Sequence, residues 1–201
     1  MMKHLAVGAA VLGVASLATA NTTVFDNEAD FLAAIGDYLL EDFDGYYYGG
    51  FTEYTLDLGP ENGYSGTISA EGGANSYLWS GDGNMSTNNA QDWLRIDFTG
   101  LPTYSTGGWF FASDISGYFM AGRPVVIELS NGFIYDYVPA SDTDFRGFVS
   151  DVALEWMTID APDDASYYWS TMDHYYVGGV IPAPGVLALL GLAGLVRSRR
   201  R

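Results

Sequence analysis

The chain has 201 residues, with 25 acidic side chains against 8 basic ones, a formal net charge of −17, and no cysteine. A surface this anionic repels phosphate backbones and anionic lipid, which argues against nucleic-acid binding. The lack of cysteine removes both a thiol nucleophile and a disulfide framework, and two histidines in the whole chain leave no basis for a zinc site.

The first 20 residues read as a secretory signal. Lys3 and His4 form a small basic start, residues 5–17 are apolar, and Ala18-Thr19-Ala20 fits a small-residue cleavage site before Asn21. The mature chain then begins at Asn21 and is exported. Signal peptidase is the processing partner this implies. Once both ends are set aside, the body at residues 21–178 keeps all 25 acidic residues and only Arg95, Arg123 and Arg146, a net charge of −22. A body of about 160 residues suits one domain with a real core. Its plentiful aromatic and β-branched residues argue against disorder.

Residues 27–36 give the one helix expected before the tail. Asn27 caps it, Asp30 lies near its positive end, Phe31, Leu32 and Ile35 share a face, and Gly36 stops it. At this length it is expected to pack across a sheet rather than form a layer.

Strands follow almost without interruption. Expected stretches are residues 39–43, 54–58 (with Tyr54, Leu56 and Leu58 on one face), 67–70, 93–98 (Leu94, Ile96 and Phe98 inward) and 108–113. Residues 125–137 read as a hairpin, with Asn131-Gly132 as a two-residue type I′ turn. Residues 145–149, 153–159 and 170–177 complete about ten strands. Loops are expected at residues 72–75, 80–84 and 161–166. Many short strands without alternating helices predict an all-β, antiparallel β-sandwich. Residues 178–181 read as a short linker.

The tail, residues 179–201, is a separate address. Pro182-Ala183-Pro184 precedes a run without a polar side chain from Gly185 to Val196, and Arg197, Arg199, Arg200 and Arg201 close it. Arginines flanking an apolar helix hold that end in the cytoplasm. At 17 residues from Val180 to Val196, the run sits at the lower edge of spanning length. The order of Pro motif, apolar helix and basic end resembles the PEP-CTERM sorting signal of bacterial exosortase substrates, with Ala183 standing where that group has Glu. The resemblance implies an exosortase-type partner, membrane contact through the helix, and a destination in the cell envelope or extracellular matrix. A plain uncut anchor is the alternative.

The body is also similar to the β-sandwich domains that precede such tails. The likeness lies in Asp30-Phe31-Leu32-Ala33-Ala34-Ile35 with Glu41-Asp42-Phe43-Asp44-Gly45, in Trp93–Phe98, in Arg146-Gly147-Phe148-Val149-Ser150-Asp151, and in Met172-Asp173-His174-Tyr175-Tyr176-Val177-Gly178. It implies a jelly-roll-like fold of the kind found in lectins and carbohydrate-binding modules, and carries no functional residues.

No catalytic constellation is legible. His174, the one histidine of the body, sits in a strand between Asp173 and Tyr175, where a structural role is the plain expectation. Glu128 and Glu155 are the candidates for two-carboxylate glycoside hydrolysis. Both lie on strands without a motif partner. No cofactor signature is present. Close oxygens suit Ca²⁺ at Asp42 with Asp44, at Asp142 with Asp144, at Asp163 with Asp164, and at Asp42 with Asp173 on the terminal strands. None of these matches an EF-hand loop. The aromatics are the remaining clue: Tyr46-Tyr47-Tyr48, Tyr77 with Trp79, Tyr167-Tyr168-Trp169 and Tyr175-Tyr176. In a strand, one of each adjacent pair faces outward. Such rings beside Asp and Asn suit stacking on extracellular polysaccharide, or packing against each other. The leading reading is therefore a structural or adhesive exported domain, with a carbohydrate-binding module as the alternative.

Overall fold

In the computed structural model, which describes residues 20–46, 53–73, 75–81, 83–162 and 167–180, the alternating stretches pair as antiparallel strands. The order is β1 (Thr22–Phe25), α1 (Glu28–Ala34), β2 (Ile35–Glu41), β3 (Thr55–Glu61), β4 (Tyr64–Glu71), β5 (Leu78–Gly81) and β6 (Asn84–Thr87). It continues with β7 (Trp93–Phe98), β8 (Thr103–Ser113), β9 (Val125–Leu129), β10 (Ile134–Tyr137), β11 (Phe145–Leu154), β12 (Trp156–Asp160) and β13 (Trp169–Val180). The chain crosses repeatedly between two sheets. One runs β1-β11-β8-β13-β6-β5, with β2 also on β13; the other runs β10-β9-β12-β7-β4-β3.

The inward side chains of both sheets meet in one core. Ile68, Leu94, Ile96, Ile127 and Met157 from the six-stranded sheet face Met85, Phe110, Phe148, Met172, Tyr175 and Val177 from the seven-stranded one. This is the expected all-β, two-sheet arrangement. β13 is its axis. It pairs with β8 along one side, and along the other with β6 at Thr171–Met172 and then with β2 from Tyr175 onward.

A second, smaller cluster lies on the outer face of the seven-stranded sheet, where α1 packs. Phe31, Ile35, Phe145 and Tyr176 are buried there. Asn27 caps α1 as expected, its Oδ1 accepting from the Asp30 N–H at 3.1 Å. Phe31 lies over the bare backbone of Gly147 in β11: a Cβ at that position would come within 2.4 Å of its ring. The helix ends earlier than the expected Gly36 stop. Ile35 is already extended and pairs with Val180, because the ladder to β13 takes over its backbone.

Several other expectations need correcting. The turn between β9 and β10 has three residues rather than two. Leu129 is paired with Phe133 through a 2.9 Å N–H···O bond, and of Asn131 and Gly132 only Gly132 has positive φ, at +85°. The Asn131 side chain sets this geometry. Its Nδ2 donates to Thr22 Oγ1 at 2.9 Å and to Ser150 Oγ at 3.0 Å, while its Oδ1 accepts from the Phe133 N–H at 3.0 Å. Tyr54 precedes β3 and is exposed, edge-on to Tyr77, rather than sharing the buried face of Leu58. Ser80, Gly81 and Asn84, in a stretch expected as loop, pair within the β5–β6 hairpin, and β1 adds a strand beyond those expected. β13 runs on through Gly178 and Gly179 to Val180, so the strand occupies most of the expected linker.

Candidate functional site

The chemistry of β13 depends on one inserted residue. Asp173 pairs with Trp109 of β8, yet the next pair is Tyr176 with Gly107, so the ladder slips by one between them. His174 absorbs the slip with φ +48°, a left-handed conformation that costs a non-glycine residue about 1 kcal/mol. Strict alternation would have put Asp173 and Tyr175 on the same face. Instead Tyr175 turns inward and is fully buried. There it accepts from the Thr106 hydroxyl at 2.9 Å and donates to Met157 Sδ at 3.1 Å. Asp173, His174 and Tyr176 are left on the outer face.

The His174 ring stacks on Trp109, with centroids 4.6 Å apart and planes 18° from parallel. Its Nε2 lies 3.1 Å from Glu28 Oε1 of α1 and 2.9 Å from the Tyr176 hydroxyl. That hydroxyl also donates to Glu28 Oε1. Burial, together with the neighbouring Glu28 carboxylate, pushes the Tyr176 hydroxyl well above its usual range. Although on the outer face, Tyr176 is covered by Phe31 and Tyr38. So Tyr175 and Tyr176 face opposite sides, but neither is exposed. His174 is thus a bracket holding Trp109 against the helix.

Trp109 forms part of the wall of two cavities. A small one of about 140 Å³, open at its rim, is lined by Phe111, Tyr118 and Phe119, with Asn84, Asp142 and Asp173 among the polar groups. An open one of about 400 Å³ shares Trp109 and Thr143, and adds Asn27, Glu28, Ser141 and Asp144. Burial raises the Asp173 carboxyl to about 6, and the charges of Asp44 and Asp42 push the same way. The His174 N–H, donating at 2.6 Å, works in the opposite sense. A third hollow of about 670 Å³ opens between loops, lined by Gly72, Asn88, Asn89, Gln91, Tyr167 and Trp169. Tyr167 is exposed and Tyr168 buried, as adjacent aromatics should be, and Trp169 Nε1 donates to Asn88 O at 3.1 Å.

The remaining candidates are dispersed. Glu128 and Glu155 are exposed on the six-stranded sheet side and line none of these cavities. Asp144 is taken up by Arg146 at 2.6 Å and by the Ala140 N–H at 2.8 Å, which separates it in role from Asp142. Asp42 and Asp44 lie close enough to Asp173 to act on its charge. Among the described residues, no group of three or more His, Asp or Glu is placed to hold a metal ion. Asp163, Asp164, Tyr47 and Tyr48 lie outside the described residues. So do Ala18, the Pro182-Ala183-Pro184 motif, the apolar run and Arg197, Arg199, Arg200 and Arg201. Among the described residues no helix is long and apolar enough to cross a membrane.

Sequence reasoning missed Trp109, Asn84 and the Tyr118-Phe119 pair. A signal was present in Trp109-Phe110-Phe111, where alternation alone sends the two outer rings to one face. Comparison with family models, with characterised proteins and with solved structures finds no match for this chain.

Proposed function

We propose that this chain is an exported bacterial envelope or extracellular-matrix protein. Signal peptidase cuts it after Ala20, and an exosortase-type enzyme processes the tail that begins at Pro182. The domain between them is a jelly-roll-like β-sandwich with a structural or adhesive role. One observation supports the reading: among the described residues, pairing runs from Asn21 to Val180, the span between the two processing signals. At its start, the Asn21 N–H donates to Asp151 Oδ1 at 2.9 Å, and Asn21 O accepts from the Asp151 N–H at 3.1 Å. At its end, Val180 is the last residue of β13 and pairs with Ile35. Cutting after Ala20 or beyond Val180 therefore leaves every strand pairing among the described residues intact. Mass spectrometry of the mature protein is expected to show Asn21 at the N-terminus and loss of Arg201. A secreted or envelope form that retains Arg201 overturns the sorting reading.

A second reading, a carbohydrate-binding module, is favoured by Trp109, which lines two cavities that also carry carboxylate, amide and hydroxyl groups. Aromatic faces and polar rims are how sugars are gripped: apolar C–H faces on rings, hydroxyls on polar groups. A glycan array probed at high valency is expected to give signals that Trp109→Ala abolishes. A blank array removes this reading and leaves the sorting one untouched.

A further inference from the structure

We propose that the small pocket beside Trp109 receives the ammonium group of an amino sugar. This deepens the carbohydrate-binding reading and rests on it. Four aromatic side chains, Trp109, Phe111, Tyr118 and Phe119, wall the cavity. An aromatic wall of this kind favours a cation over a neutral group of the same size. The polar groups among them are acceptors. Asp142 and Asp173 bring carboxylates, and neither lies within ion-pair distance of a basic side chain among the described residues. The Thr143 hydroxyl is engaged with Ser141 at 3.2 Å.

Asn84 points the same way. It is 7% exposed, and its Nδ2 donates to Gly117 O at 3.4 Å. That contact fixes the amide orientation and leaves Oδ1 as a buried acceptor without a partner. A buried acceptor calls for a donor. The matching ligand thus brings N–H donors and positive charge in a compact head, which describes a primary ammonium. Anionic groups are repelled by the same lining. Burial of Asp173 adds to the fit, since an adjacent cation offsets the cost of its ionised form.

The saccharide half of the proposal comes from the second cavity. It continues from Trp109 and Thr143 past Ser141 and Asn27, open to solvent and of about 400 Å³. A hydroxyl-bearing ring joined to the amino sugar has room there, beside Trp109.

The test uses the full chain in detergent, titrated calorimetrically at pH 7.5 and physiological salt. The probes are an N-acetylglucosamine tetramer with one unit deacetylated, the fully acetylated tetramer, and ethanolamine. The free-amine tetramer is expected to bind at least about tenfold more tightly than either of the others, the range that a cation–π contact together with a charge-assisted hydrogen bond to a carboxylate supplies. Tyr118→Ala and Asp173→Asn are each expected to weaken it by about tenfold, with the melting temperature of Asp173→Asn not lowered. The exposed Asp142→Asn gives an independent loss should Asp173→Asn disturb the fold. Equal affinity for the acetylated and free-amine tetramers overturns the ammonium assignment while the carbohydrate reading stands. Ethanolamine binding as tightly as the free-amine tetramer overturns the saccharide half. No binding of either tetramer removes the proposal and the carbohydrate reading together.

Discussion

Asp173 sits where β6 gives way to β2 along β13, half-buried beside two further carboxylates. Folding raises its carboxyl from 3.8 to about 6, so the folded chain holds that proton more tightly than the unfolded chain does. Stability from this group is therefore fully present below about pH 4 and is lost as the pH rises through 6. The shift corresponds to an upper bound of about 3 kcal/mol, less where solvent screens it. Asp173→Asn removes the ionisation and keeps an acceptor for the His174 N–H. Its melting temperature is expected to match the parent at pH 4 and to exceed it by several degrees at pH 7.5. Calorimetric scans at both values check this, and a variant equally or less stable at pH 7.5 contradicts it. Position 173 also marks the limit of alternation as a guide. Alternation puts Asp173 and Tyr175 on one face; the inserted residue at His174 separates them.

At the scale of the element, α1 is held by contact rather than by its own propensity. Seven residues are too few to be stable alone in water. Phe31, seated over Gly147 against Phe145 and Tyr176, supplies the hold. Replacing a strand glycine with alanine ordinarily gains about 0.5–1 kcal/mol. Here Gly147→Ala is expected to destabilise by about 1–3 kcal/mol, because the added carbon meets the Phe31 ring at 2.4 Å. Denaturant unfolding decides the sign. The helix, its cap and β7 were readable in the sequence, since Asn27 and the alternation of Leu94 and Ile96 are local signals. β5 and β6 were not. Ser80, Asn84, Ser86 and Thr87 are polar, yet all four are buried. Ser86 bonds Thr171 at 3.0 Å, and Thr171 bonds Ser113 at 2.7 Å, a hydroxyl ladder across three strands. Polar residues buried through partners far along the chain leave no local trace.

For the whole molecule, charge is the governing quantity. With 25 acidic side chains against three arginines, the body at residues 21–178 is self-repelling at neutral pH. Arg95 is matched with Asp97 at 2.7 Å and Arg146 with Asp144 at 2.6 Å, so most of the acids have no basic partner. Raising salt from about 10 mM to about 500 mM shortens the Debye length several-fold. The melting temperature is expected to climb by several degrees over that range. A flat or falling profile would show that the acids are already spread widely enough not to matter.

The sequence by itself determined the all-β class, the acidic body, the expected signal peptide and the expected sorting tail, because composition, alternation and terminal patterning are properties of neighbouring residues. Only the tertiary structure decided where Trp109, Asp173 and Asn84 converge. These three residues lie on β8, β13 and β6, adjacent strands that are far apart in the chain. Their meeting depends on pairing register and on one bulge, neither of which is written in any local stretch.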